Sequence, residues 1–153
     1  MDYFWFIPII FTQNFYITGI TGTIFNTLAE KEIINCEDMA LKLGGTIRSG
    51  LKKRISKGFT NMTAQDWMDV IVFSSFSVFG EVSRDIDQMI RQLCEALVLY
   101  TNREISEIDI DRASALLKLS LTTFSKKFGI SPPNFHIAMH MPETIRAFGP
   151  SHV

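Results

Sequence analysis

Two long segments in the second half of the chain carry apolar residues at helical spacing, and they constrain the fold more than any other feature. In the first segment, about Val82 to Tyr100, the apolar residues advance in alternating steps of four and three. These residues are Ile86, Ile90, Leu93, Leu97 and Tyr100. Such a stripe is typical of a helix that buries one face. The spacing therefore predicts a mainly α-helical chain.

The second segment, about Glu107 to Phe128, has signals for both ends of a helix. Ser106 and Asp109 have the spacing of a capping box, in which each side chain accepts a hydrogen bond from the other residue's backbone. Gly129 is a natural left-handed stop. The apolar face between them consists of Ala113, Leu116, Leu117, Leu121, Phe124 and Phe128.

Two further helices are predicted earlier in the chain. The first runs from Ile24 to Leu43 and ends at Gly44-Gly45. The second begins at a similar capping arrangement of Thr63 and Asp66, is apolar on nearly all sides, and ends at Gly80. Between them, residues 44–62 are rich in glycine, serine and threonine and are predicted to be a basic loop. We therefore expect residues 24–153 to form a single helical domain, an array of four to five helices.

The segment 1–23 differs from the rest because it is apolar, aromatic and almost uncharged. Its threonine, isoleucine and aromatic residues favour a strand-like segment, the possible remnant of a core strand. A small membrane protein anchored by residues 3–28 is an alternative. Polar residues, Pro8 and several glycines interrupt the apolar run, which argues against a membrane span. Membrane contact is therefore not the preferred interpretation.

Charge and cysteine content exclude some classes of protein. The 15 basic and 16 acidic residues give a formal net charge of −1, so no field of the whole chain attracts nucleic acid or anionic lipid. Any such contact requires a local patch. Cys36 and Cys94 form no CxxC motif. We expect both to be free thiols, in an intracellular, reducing compartment.

The basic cluster of the chain is a candidate for DNA contact. It consists of Arg48, Lys52, Lys53, Arg54 and Lys57. Flexible cations of this kind neutralise backbone phosphates. The alternative is a solvated loop with no partner.

His136 and His140 are candidate metal ligands because residues four apart share one face of a helix, where two imidazoles can reach one zinc ion. Asn134 is expected to cap this helix and Pro142 to break or bend it. The pair is not HExxH, since Ile137 follows the first histidine. Glu143 and His152 are the other nearby candidates for ligands. The alternative is a pair of hydrogen-bonded histidines packed in the core under the last helix.

No catalytic residues are assigned. The sequence has no glycine-rich phosphate loop, no GxSxG motif and no order of residues that indicates a nucleophilic site. Carboxylates cap helices and interact favourably with the dipole near helix starts, or lie on exposed faces, which accounts for Asp66, Asp69, Asp85, Asp87, Glu107, Asp109 and Asp111.

Three stretches together resemble a known family. They are RISKGFTNMTAQDWMDVIVFSS, IDIDRASALLKLSLTTFSKKFG and SPPNFHIAMHMPETIRAFGPSHV. In this order they are similar to the C-terminal helical region of CACTA-like transposases of the DDE type, which are carried by fungal and plant mobile elements. The third stretch is the most specific, because its proline-asparagine, two histidines, proline-glutamate and glycine-proline all occur in order. The resemblance covers about Leu51 to Val153, two thirds of the chain.

The resemblance implies a reaction that this chain does not perform alone. Full-length members hold Mg²⁺ on an acidic triad, which activates water and then a DNA 3′-hydroxyl for attack on phosphate. His136 and His140 match a histidine pair that resembles the zinc-binding histidines of the V(D)J recombinase. The last acidic residue would be expected in an FERYNG-like element after the glycine-proline. The resemblance therefore implies a truncated chain without independent catalysis.

Several partners and locations follow from these interpretations. DNA, a full-length transposase and a second copy of the chain are the partners expected if the resemblance holds, and the location would then be nuclear. A helical protein-interaction module with no DNA role is the alternative function.

Overall fold

The computed structural model describes residues 17–77 and 83–148, which form a π-helical turn and eight α-helices. The helices are α1 (Gly22–Glu30), α2 (Cys36–Leu43), α3 (Ser49–Ser56), α4 (Ala64–Ser77), α5 (Arg84–Thr101), α6 (Glu107–Phe128), α7 (Pro133–Ala138) and α8 (Met141–Phe148). No β-strand occurs in this part of the chain. The predicted mainly α-helical fold is confirmed.

The strand-like prediction for residues 1–23 is wrong where the structure describes them. Residues Ile17–Thr21 form the π-helical turn, which runs directly into α1. Thr23 Oγ1 donates to the carbonyl of Gly19 at 2.6 Å, and Thr27 Oγ1 donates to that of Thr23 at 2.7 Å. The threonines that favoured a strand thus bond back to the preceding helical turn. Residues 1–16 lie outside the described residues.

The helix predicted from Ile24 to Leu43 is in fact two helices. After α1, Glu32 adopts a left-handed φ of 58°. The backbone N–H of Glu32 bonds to Ala29 O at 3.1 Å, and that of Ile33 bonds to Leu28 O at 2.9 Å. This pair of bonds is a Schellman motif, which ends a helix. Asn35 then starts α2 by accepting a hydrogen bond from Asp38 N at 3.0 Å.

The loop predicted for residues 44–62 is also wrong in part, because its centre is α3. Leu51 and Ile55 lie one turn apart and are fully buried. Their spacing lets a short helix bury one narrow face while its lysines remain outside. The flanking glycine and serine residues obscured this pattern.

The prediction for α4 is confirmed at its start. Thr63 Oγ1 accepts from Asp66 N at 3.1 Å, and the Asp66 carboxylate accepts from Thr63 N at 3.0 Å. Trp67, Val70 and Ile71 are buried, whereas Val72 and Phe73 are only partly so. The predicted stop at Gly80 lies outside the described residues.

Helices α5 and α6 match the helices predicted from the sequence closely. The predicted stripe of α5 is buried throughout. Ser106 and Asp109 form the expected capping box, and Gly129 ends α6 with a φ of 66°. Ser120 Oγ donates to Met89 O at 3.1 Å across the buried face between the two helices. These helices form the most extensive helix–helix contact among the described residues.

The C-terminal part contains two short helices instead of one. Pro132 is extended and precedes α7, which begins at Pro133, so Asn134 lies within the helix and is not its cap. The chain turns at Met139 and His140 before α8, as the position of Pro142 predicts. Arg146 joins α8 to α6 through Glu107 and Asp111, each at 3.1 Å.

Among residues 17–77 and 83–148, no helix combines the length and apolar character required to span a bilayer. The alternative anchor over residues 3–28 lies largely outside the described residues.

Candidate functional site

The basic cluster lies on and beside α3, not on a loop. Arg48 is the residue before the helix, Lys52, Lys53 and Arg54 are within it, and Lys57 follows it. Because Leu51 and Ile55 face the core, the helix carries the cations on the remaining surface.

Two arginines of this cluster converge on Asp66 at the start of α4. Arg48 Nη2 donates to Asp66 Oδ1 at 2.6 Å, and Arg54 Nη2 donates to the same oxygen at 3.1 Å. Arg48 also lies 3.6 Å from Asp69 Oδ2. Asp66 itself is 1% exposed. The arginines are therefore held in part by carboxylates of this chain.

The surroundings of Asp66 keep its carboxylate charged. Burial raises the pKa of Asp66, but hydrogen bonds from Thr63 and Arg54, together with the charge of Arg54, outweigh it and lower the pKa. Sequence reasoning identified Asp66 as a cap but missed both arginines. They lie 18 and 12 residues away, so no local pattern connects them to Asp66.

The lysines of the cluster have different surroundings. A Cβ added to Gly44 would lie 3.1 Å from Lys52 Nζ, so Lys52 packs against the end of α2. A cation at this place is favourable because the helix dipole is negative there. Lys53 and Lys57 are exposed. Neither forms an ion pair with any residue that the structure describes.

The two histidines lie close together but not on one helix. His136 belongs to α7 and His140 to the turn after it, with ring centroids 5.5 Å apart and planes at 83°. His140 Nδ1 lies 3.2 Å from Glu143 Oε2. Both histidines are exposed. The alternative of two packed core histidines is therefore wrong.

The fit of these histidines to a zinc ion is incomplete. The ring separation is compatible with one shared ion, since each Zn–N bond is about 2.0–2.1 Å long. A structural zinc site needs four ligands. Within the described ranges, no group of three or more histidine, cysteine, aspartate or glutamate side chains is placed to hold a metal. His152 lies outside those ranges.

The cysteines are free thiols, as predicted. Burial raises the pKa of Cys36. Burial also raises the pKa of Cys94, although a hydrogen bond with Ser75 opposes the shift. A raised pKa leaves little thiolate at neutral pH, so neither cysteine has the character of an activated nucleophile.

The candidate functional site is accordingly the group of exposed cations on and beside α3, namely Arg48, Lys53 and Lys57, which we call the α3 basic surface. All three side chains are exposed. Comparisons of the chain with family models, curated proteins and solved structures found no match.

Proposed function

We propose that this chain is a transposase-related helical protein that contacts the DNA backbone through the α3 basic surface and performs no catalysis of its own. The relation to CACTA-like transposases is supported by the ordered motifs between Leu51 and Val153. A nuclear location belongs to the same proposal.

The exposure of the cations on α3, and the lack of ion pairs at two of them among the described residues, support the proposal most directly. Lys53 and Lys57 are one helical turn apart, exposed, and unpaired within the described part of the chain. The Arg48 side chain is 62% exposed despite its contact with Asp66. Lys53 and Lys57 can approach phosphates without losing a partner among the described residues, and the exposed Arg48 can add a third contact while it stays bonded to Asp66.

Nearby carboxylates limit the affinity of the α3 basic surface for DNA, and its contacts to phosphate give no base specificity. Asp66 and Asp69 offset part of the positive charge. Lysine and arginine contacts to phosphate fix position but do not read sequence. We therefore expect weak binding to any duplex, with strong dependence on salt.

Fluorescence anisotropy with an arbitrary labelled duplex tests this proposal. Three phosphate contacts predict a slope of log K against log salt near −3, or a loss of roughly 40-fold between 50 and 200 mM salt. In the double variant Lys53→Gln/Lys57→Gln, the slope should fall to about −1.

The matched control is Lys31→Gln/Lys118→Gln, which removes two exposed lysines outside α3, one directly after α1 and one in α6. This control should bind as the wild type does. Equal loss in both double variants would show that only net charge matters and would refute a specific α3 basic surface. Nicking of a terminal-repeat duplex with Mg²⁺ or Mn²⁺, abolished by a chelator, would refute the absence of catalysis.

A protein-interaction module with no DNA role is the second candidate, supported by the outer face of α6. Ile108 is 79% exposed and Leu119 is 54% exposed. They are eleven residues apart, about three turns, and therefore share one face. Self-association in analytical ultracentrifugation that is lost on Ile108→Glu, together with absent DNA binding, would favour this candidate.

A further inference from the structure

A groove of about 400 Å³ lies between the last turns of α6 and the short helix α7. Its buried wall includes Leu121 and Phe135. Phe135 packs against Phe124 of α6, edge to face, with ring centroids 5.4 Å apart. This contact fixes α7 on α6 and holds the adjacent His136 at the edge of the groove.

The exposed edge of the groove carries hydrogen-bond donors. Lys126 and His136 supply nitrogen groups, and Thr122, Ser125 and Ser131 supply hydroxyls. None of the three hydroxyls makes a hydrogen bond to another described residue, and Lys126 forms no ion pair among those residues. None of the described residues that line the groove carries a carboxylate. Its donors are therefore available to an anion.

Neighbouring groups of the same type are engaged elsewhere. Lys127, next to Lys126, lies 3.9 Å from Asp85 and does not line the groove. His140, near His136, contacts Glu143 and also lies outside the lining. Among its described lining residues, the groove thus combines one ammonium group without an ion pair, one imidazole and three hydroxyls without a hydrogen bond, beside an apolar wall.

We propose that this groove binds a small phosphate monoester whose organic part is apolar. A phosphate monoester carries about −1.5 to −2 charges at pH 7 and three terminal oxygens that accept hydrogen bonds. The two nitrogen groups and three hydroxyls match these oxygens better than the two oxygens of a carboxylate. The organic part would lie against Leu121 and Phe135. The groove volume is within the range of small-molecule sites, about 300–1,000 Å³.

Titration of the full chain with phenyl phosphate, followed by NMR of backbone amides, tests the proposal. Saturable shifts at Ser125 and Ser131 are expected, with a dissociation constant of about 1 mM or tighter. Lys126→Gln and His136→Gln should each weaken binding about tenfold, the cost of one charge-assisted hydrogen bond. Phenol, which lacks the anion, should bind much more weakly.

Matched controls are Lys127→Gln and His140→Gln, which change the same residue types just outside the groove. Both should retain wild-type affinity, as should the Lys53→Gln/Lys57→Gln variant, because the groove does not depend on the α3 basic surface. Absence of saturable binding, equal loss in groove and control variants, or equal binding of phenol would each overturn the proposal.

Discussion

Residues 17–77 and residues 83–148 begin helices with the same motif, but the motif has different surroundings in the two parts. Thr63 and Asp66 form a capping box for α4, and Ser106 and Asp109 form one for α6. Asp66 is buried and holds two arginines, whereas Asp109 has no ion-pair partner in the described chain. The same local motif therefore also binds side chains from another part of the fold in residues 17–77, but not in residues 83–148.

The two parts also end helices with the same backbone geometry but with different residues. Gly129 follows α6 with a φ of 66°, and its N–H bonds to Ser125 O at 2.9 Å. Glu32 follows α1 with a φ of 58°. Glycine adopts this conformation without strain, whereas a glutamate must be held there by its surroundings. At the end of α6 the residue's own preference is enough for the left-handed conformation, whereas at the end of α1 the surroundings of Glu32 must impose it.

The largest effect is expected from Asp66→Ala. The substitution removes the carboxylate half of the capping box of α4, the acceptor for Thr63 N, and leaves Arg48 and Arg54 without their shared acceptor. We expect the free energy of unfolding to fall by about 2–3 kcal/mol. Breaking a buried ion pair costs more than removing an exposed cap, but the loss is limited because Arg48 remains largely solvated. Urea denaturation followed by circular dichroism measures the change.

Asp109→Ala is the matched variant for the second capping box. It should cost about 0.5–1 kcal/mol, because it removes one exposed hydrogen bond of the capping box while the N-cap residue Ser106 remains. Equal losses for the two variants would contradict the tertiary role that we assign to Asp66.

Acid should remove part of the same stabilisation. Hydrogen bonds from Thr63 and Arg54 hold the pKa of Asp66 below its ordinary value of 3.8 despite burial. The contribution is therefore complete above about pH 3.8 and is lost as the pH falls through the folded-state pKa. In Asp66→Asn, which does not titrate there, this loss is absent. The difference in unfolding free energy between wild type and variant should therefore shrink as the pH falls below about 3.8.

A constant difference over that pH range would show that the Asp66 carboxylate has the same pKa in the folded and unfolded chain. Acid titration of other carboxylates affects both proteins equally, so the difference isolates Asp66.

The parts of the fold that were predicted correctly are those whose signals are local. The boundaries of α6 follow from Ser106, Asp109 and Gly129, and the buried face of α5 follows from its spacing. The break after α1 was missed because glutamate occupies the position where glycine normally marks a helix end. Helix α3 was missed because only Leu51 and Ile55 mark its buried face.

Prediction of the candidate sites from the sequence is limited in the same way, because only local signals can be recognised. The cations of α3 were recognised from composition, but their division into paired and free groups depends on Asp66, which lies in a different helix. The α6–α7 groove likewise forms only because Phe135 packs on Phe124. Contacts between residues distant in sequence are set by packing, and no periodicity encodes them.

A smaller effect is expected from Gly129→Ala. An added Cβ would meet no atom of the described residues within 4 Å, so the left-handed backbone is what opposes it. The strain should exceed the entropy gained in the unfolded chain and lower the unfolding free energy by about 1 kcal/mol. Gly45→Ala is the control, because its Cβ is equally free of contacts and its φ is not left-handed. That variant should be neutral or slightly stabilised, and equal losses at both glycines would refute the strain argument.

The smallest effect, and one of opposite sign, is expected from Glu32→Gly. Glycine relieves the left-handed strain at the end of α1, which stabilises the folded chain by about 1–2 kcal/mol. It also gives the unfolded chain more conformational entropy, which offsets most of that gain in free energy. The net result should be a stabilisation of about 0.5 kcal/mol, or a rise in melting temperature of roughly 1–2 °C. Glu32→Ala removes the same exposed carboxylate without relieving the backbone, so it should not stabilise. If both variants raised the melting temperature equally, the charge of Glu32 and not its φ would distinguish this helix end from that of α6.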